Sequence, residues 1–244
     1  MSTEKAIVIR DLDLPSDGAS LQRVWREIGW SDSNRTDRMM LEFYSEGSTG
    51  VGTIDDEVEC AVLSQPGTMR LDAKDLPLCV VSAVTTSRIA RGLSLAQKLT
   101  ARQLAKGQQD GAAVATLGMF DQGFYNKLGF GTGAYINEVS FDPALLNVEI
   151  KPRTPRRLTA EDSEQMLATM MARPRSHGSV TLNLPKTFKS ELDRGSRFGL
   201  GYYEGDRLTH FVWMKEKGEN GPYRVEWMGY ETGDGLLELL ALLK

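Results

Sequence analysis

Two periodicities divide this chain, and the points where one gives way to the other mark its elements. Ala6 to Arg10 reads as a strand. From Asp17 to Gly29 the apolar residues Leu21, Val24, Trp25 and Ile28 recur at helical spacing, which predicts an amphipathic helix. A second helix is expected over Arg35 to Tyr44. Short β-rich runs follow at Val51 to Ile54, Glu57 to Ser64 and Thr68 to Leu71, punctuated by Asp55-Asp56 and Pro66-Gly67. They predict an antiparallel meander.

The pattern then changes. Leu78 to Val84 is continuously apolar, as expected of a strand buried on both faces. It leads through Thr85 to Ala90 into Arg91-Gly92-Leu93 and a helix to about Lys106, with Leu95, Leu99 and Leu104 on one side. Ala112 to Leu117 predicts another buried strand, Asp121 to Leu128 a short helix ended by Gly129-Phe130-Gly131, and Tyr135 to Phe141 a closing strand. A strand–helix–strand unit implies a parallel pair joined by a right-handed crossover. The expected class is α/β (α+β) with a mixed sheet.

Lys151-Pro152-Arg153-Thr154-Pro155-Arg156-Arg157 reads as a solvated linker or edge. Beyond it the earlier pattern restarts. Arg157 to Asp162 and a helix over Met166 to Met170 parallel Arg10-Asp11-Leu12 and the Leu21–Ile28 helix. Tyr202 to Arg207 is a hairpin, Pro222 to Tyr230 takes the place of Leu78 to Val84, and Leu236 to Leu243 the place of the helix after it. The expected division is therefore 1–148 and 149–244. The second copy is diverged: Thr232-Gly233-Asp234-Gly235 replaces the arginine-bearing turn, and the chain ends after that helix, without the closing elements.

Composition narrows the function. With 41% hydrophobic and 25% charged residues, the chain has a globular profile. No apolar run approaches the roughly 20 residues that span a bilayer. The N-terminus has no secretory h-region, and Cys60 and Cys79 sit in apolar strand-like runs, so a reducing cytoplasm is expected and no membrane partner. A net charge of −4 argues against nucleic acid and tolerates a cationic substrate. His177 and His210 lie far apart without a cysteine partner, so no metal site is expected. The methionines at 39, 40, 166, 170 and 171 suit core filling, and Trp25, Trp30, Phe43 and Tyr44 lie in the first two helical regions, where exposed aromatics would suit a cationic amine.

The turn Thr85-Thr86-Ser87-Arg88-Ile89-Ala90-Arg91-Gly92-Leu93-Ser94 carries the candidate chemistry. A buried strand enters it and an amphipathic helix leaves it. Backbone amides at a helix N-terminus bind anions, Gly92 allows close approach, and Arg88 and Arg91 add charge, so the stretch suits a pyrophosphate. An ordinary βα turn that happens to contain Gly and Arg reads the same way.

A second segment, Gly123-Phe124-Tyr125-Asn126-Lys127-Leu128-Gly129-Phe130-Gly131, makes the pattern specific. Together the two resemble the GNAT acetyltransferases over roughly residues 5 to 141. The Arg-Gly-Leu turn, the Tyr-x-x-x-Gly-Phe-Gly helix and the degenerate second copy resemble the Eis-like N-acetyltransferases. That resemblance implies a GNAT fold and transfer of an acetyl group from acetyl-CoA to an amine of a small molecule or peptide. It implies Ser82, Ala83 and Val84 for the pantetheine, and Ala90, Arg91, Gly92, Leu93, Ser94 and Leu95 for the pyrophosphate. Phe120 and Asp121 are implied as further contacts, Tyr125 as proton donor, and a homo-oligomer as the assembly. Departures are Ile89 where the family carries Arg or Gln, with Arg88 displaced by one, and Ser94 at the last small position. Eis-like proteins continue into a third domain whose C-terminal carboxylate is the base, so this chain is expected to be a fragment or a shortened relative. The competing class is a non-catalytic acyl-CoA-binding protein of the same fold.

Overall fold

A computed structural model of the chain describes residues 6–119, 121–133, 135 and 137–244. It divides into two compact units, Met1–Gly133 with His177–Leu182, and Ala134–Ser176 with Asn183–Lys244.

In the first unit β1 (Ile7–Asp11) is followed by α1 (Leu14–Glu27), α2 (Asn34–Tyr44), β2 (Ser48–Ile54), β3 (Glu57–Leu71) and β4 (Lys74–Thr86). Then come α3 (Leu95–Gln109), β5 (Val114–Thr116) and the short α4 (Gln122–Asn126). The sheet runs β1-β2-β3-β4-β5, antiparallel except for the β4–β5 pair. Because successive strand residues point to opposite faces, the sheet has two apolar layers. Ile54, Cys60, Val62, Cys79 and Val81 pack with Leu95 and Leu99 of α3. Val51, Val58, Ala61 and Leu63 pack with Leu21, Met40 and Tyr44 of α1 and α2. Helix α3 lies close on β2, where a Cβ on Gly52 would stand 3.2 Å from Leu95 and one on Gly50 3.1 Å from Leu99.

Two expectations are corrected here. Pro66-Gly67 does not turn the chain: β3 runs straight through it, with Pro66 opposite Cys79 and Gly67 opposite Leu78. Pro66 lies between the stretch paired with β2, which ends at Ser64, and the stretch from Thr68 that pairs with a two-residue strand, Val180–Thr181. A missing N–H is tolerated where one lateral ladder has stopped and the next has not begun. The closing strand expected at Tyr135 to Phe141 does not form among its described residues. Tyr135 and Val139 are 77% and 78% exposed, so the alternation has neither ladder nor buried face to stabilise it.

The second unit repeats the order. After β6 (Arg156–Leu158) come α5 (Ser163–Ala172) and α6 (Pro185–Leu192), the meander β7 (Arg197–Glu204), β8 (Arg207–Glu216) and β9 (Tyr223–Tyr230), then α7 (Gly233–Leu243). Its sheet order, β9-β8-β7-β6, matches β4-β3-β2-β1. Met166, Phe188, Phe211 and Trp213 fill one face, and Tyr202, Val212, Met214 and Leu239 the other. The basic run takes the second of its two expected forms, an edge, since it leads into the edge strand of this sheet. Arg156 and Arg157 begin β6, the Arg153 guanidinium holds Glu238 at 2.7 Å, and Arg156 lies 4.6 Å from the centre of the Tyr203 ring. No helix among the described residues is long and apolar enough to cross a membrane.

Candidate functional site

Strand β4 outruns its parallel neighbour. The β5 ladder covers only Leu78, Cys79 and Val80, while β4 continues to Thr86. In that unaccompanied stretch the register against β3 slips. Ser82 opposes Leu63 and Thr85 opposes Ala61, so Ala83 and Val84 together face Val62. The bulge puts Ala83 at φ 47°, in the left-handed region. Such a conformation costs a non-glycine residue about 1–2 kcal/mol. Ala83 packs on the α1/α2 layer and Val84 on the α3 layer. The Ser82 hydroxyl donates to Gln65 Oε1 at 3.3 Å.

The turn after β4 begins with Ser87 N–H donating to the Glu59 carbonyl at 2.8 Å. A 3₁₀ turn over Arg88–Ala90 follows, with Ala90 buried. Gly92 then takes φ 79° and Ser94 φ 59° before α3 starts at Leu95. Ser94 occupies the N-cap position, yet its hydroxyl caps no amide. The first intrahelical bond runs from Lys98 N–H to the Ser94 carbonyl. The amides of Leu95, Ala96 and Gln97 therefore have no intrahelical acceptor, and the positive end of the helix dipole is open. A Cβ built on Gly92 meets nothing within 4 Å, so the space beside this turn is free.

The two arginines of the turn have different fates. Arg91 is exposed and forms no ion pair among the described residues. Arg88 is turned toward α1: its N–H donates to the Glu27 carboxylate and its Nη2 to the Glu27 carbonyl at 3.2 Å. Arg23 stands 3.6 Å from Glu27 and donates to Glu59 at 2.7 Å, so charged groups tie the end of α1 to the start of the turn. Arg91, with the open amides, supplies the positive character of the turn.

Of the expected site residues, Ser82 to Val84 and Ala90 to Leu95 fall on one continuous strand–turn–helix. Phe120 lies outside the described residues. Asp121 caps α4, accepting Gly123 N–H at 2.9 Å. Tyr125 is only 3% exposed and meets Phe124 and Phe130 edge-on at 5.0 and 6.1 Å. Burial, and then the nearby Asp121 charge, push its phenol above the usual value, so it is protonated at neutral pH. Because β4 and β5 are parallel, α4, which follows β5, belongs to the same carboxyl end of the sheet as the turn after β4. A part that sequence reasoning did not assign is Tyr44, whose hydroxyl reaches the Ala83 carbonyl. Tyr44 stands out in sequence only as one of four aromatics, and the 39-residue separation hides the contact.

This is the architecture of the GNAT acyltransferases, and comparisons agree. Residues 26–133 match the model of the acetyltransferase (GNAT) domain. No curated protein sequence matches the chain. Among solved structures, a conserved protein of unknown function from Enterococcus faecalis V583 superposes with TM-score 0.77 at 15% identity, over 98% of this chain and 62% of its own. A GCN5-related N-acetyltransferase from Kribbella flavida gives 0.72 at 18% identity, over 98% and 61%. Eis1 from Mycobacterium abscessus gives 0.71 at 15%, over 98% and 63%. The chain thus spans less than two thirds of the length of these structures, and at such identities the likeness is one of fold.

Proposed function

We propose that this chain is an Eis-like tandem GNAT acetyltransferase that moves the acetyl group of acetyl-CoA to a primary amine on a small molecule or peptide, using the first unit as the catalytic copy. The observation that carries this reading is the open turn, with its uncapped amides and exposed Arg91, set directly after the unaccompanied end of β4. The turn fits a pyrophosphate, and the bare backbone of β4 beyond Val80 fits the extended pantetheine arm. Ser82, Ala83 and Val84 would line that arm, and Ala90 to Leu95 would hold the phosphates. Acetyl-CoA, the co-substrate, supplies the activated acyl group.

The chain's own groups then do three things. The Val84 amide, at the bulge, donates to the thioester oxygen as charge builds there. The amine must arrive neutral, since an alkylammonium has a pKa near 10. Its nitrogen forms the new C–N bond, the C–S bond breaks, and Tyr125 gives its phenolic proton to the departing sulfur. Solvent takes the proton released from the amine and returns one to Tyr125. Trp30, exposed in the turn beyond α1 and edge-on to Trp25 at 5.3 Å, suits a cationic acceptor.

A second reading, acyl-CoA binding without turnover, draws on the burial of Tyr125 between two aromatic rings. A thiol-release assay over a panel of polyamines, aminoglycosides and lysine peptides tests the proposal. Free coenzyme A appearing only when both acetyl-CoA and an amine are present supports transfer. Tight binding with no release across the panel supports the second reading.

A further inference from the structure

We propose that the Tyr44 hydroxyl, oriented by the Trp25 indole, is a positioning group that holds the β4 bulge and thereby aims the Val84 amide. The inference rests on the acyl-transfer reading above for its catalytic consequence, but its geometry belongs to the first unit alone. Trp25 Nε1 donates to Tyr44 Oη at 3.1 Å, and Tyr44 Oη lies 3.4 Å from the Ala83 carbonyl oxygen. A phenol carries a single proton. With the indole N–H, and the Thr85 hydroxyl that also stands beside the phenol, on the accepting side of the oxygen, the Tyr44 proton is directed to Ala83. The ring cannot drift, because Tyr44 is buried in the α1/α2 layer and meets Trp25 and Phe43 edge-on at 5.8 and 6.1 Å. Burial also pushes the phenol far above its usual pKa, which keeps it a donor.

What this bond restrains is the strained point of the strand. Ala83 is the residue at φ 47°, and β4 has no β5 neighbour there to fix it from the other side. A trans peptide points its C=O and N–H in opposite directions. Fixing the Ala83 carbonyl toward Tyr44 therefore fixes the direction of the Val84 N–H on the same peptide plane. Released, the peptide can rotate about the two flanking torsions, and the amide loses its aim without any loss of side-chain packing. The device is encoded at three distant positions: the indole on α1, the phenol at the end of α2, and an alanine that tolerates its conformation only while held.

Tyr44→Phe keeps the ring and removes the proton. In the full chain without ligand, amide hydrogen exchange followed by NMR should speed up at Val84 by about tenfold or more, while Val62 and Val80 stay within about twofold. In turnover, kcat should fall by about tenfold, less than deletion of a donor would cost, with KM for acetyl-CoA within about twofold. Trp25→Phe, which removes the indole N–H, should move both readouts the same way by a smaller factor, and it serves if Tyr44→Phe unfolds. Unchanged exchange at Val84 in the folded variants overturns the proposal. So does a kcat that holds while exchange rises, since the bulge would then be held but not used. If the wild-type chain turns over no amine, the acyl-transfer reading fails by itself, and the exchange arm still decides whether Tyr44 holds the peptide.

Discussion

The two βα turns of this chain occupy equivalent places, and they have been finished in opposite ways. In the first unit β4 ends at Thr86 and α3 starts at Leu95, with two left-handed residues between them and an N-cap serine that caps nothing. In the second unit β9 ends at Tyr230 and α7 starts at Gly233, and the Thr232 hydroxyl accepts the Gly235 amide at 3.1 Å. Glu231, just before it, is ion-paired with Arg207. An unsatisfied helix start costs stability unless something outside the chain supplies the acceptor. The second turn satisfies the Gly235 amide with its own cap and puts a carboxylate nearby. The first keeps its amides open, lengthens the loop and adds Arg91. The difference teaches that two units of the same topology can finish the same turn differently, one closing it with its own cap and the other leaving its helix start open.

The most direct way to break this comparison is Gly92→Glu. The substitution forces a side chain onto a φ of 79° and puts a negative charge into the open space. Acetyl-CoA affinity measured by titration calorimetry should become undetectable, and wild-type binding should saturate at one equivalent per chain. Unaltered affinity, or two equivalents, would show that the first turn is not the special one. Next in size is Tyr125→Phe, which leaves the contacts with Phe124 and Phe130 in place. If the phenol is the proton donor, kcat should drop by roughly 10²-fold with acetyl-CoA affinity nearly unchanged. A packing role alone predicts a silent Phe variant and an Ala variant destabilised by about 3–5 kcal/mol.

How far the sequence revealed this contrast depended on how local each feature is. The α3 pattern of Leu95 and Leu99, the Gly205 hairpin and the run entering the Arg91-Gly92 turn are short-range signals, and each fell where expected. The absent cap was not legible, because Ser94 is a good capping residue by type and fails only through its left-handed backbone. The straight passage of β3 through Pro66-Gly67 depends on which neighbour strand stops where, which periodicity does not record. The roles of Arg88 and Tyr44 are tertiary: Arg88 finds Glu27, and Tyr44 finds Ala83, across long separations. Helix α6 escaped notice although Pro185 marks its start.

Thr232→Ala sharpens the comparison from the other side. It removes the cap that closes the second turn, so it should lower stability by about 1 kcal/mol, seen as a lower midpoint in urea. It should not create a second coenzyme A site, because Glu231 and the short loop remain. Binding at two equivalents in this variant would mean that the cap alone separates the two turns.

The smallest expected effect is a pH dependence that belongs to the second unit. His210 on β8 is buried, stacked on the Tyr202 ring at 4.8 Å, with Nδ1 beside the Thr209 hydroxyl at 2.9 Å and Nε2 beside Glu238 at 3.0 Å. Burial lowers its pKa below the usual 6.5, outweighing the attraction of Glu238. Glu238 in turn is held at about 2, chiefly by Arg153. The unfolded chain therefore takes up the histidine proton first, and stability falls as pH drops below 6.5, until the folded chain also protonates. A second loss, from Glu238, begins near its ordinary 4.5 and continues toward about 2. Thermal midpoints measured across this range should show a shallow first step that disappears in His210→Gln and a later step that survives in it. The open turn of the first unit is built from backbone amides and Arg91 and contains neither His210 nor Glu238, so coenzyme A affinity should hold through the shallow step while the chain stays folded. A midpoint that is flat down to about pH 5, or a first step that persists without His210, would assign the acid sensitivity elsewhere.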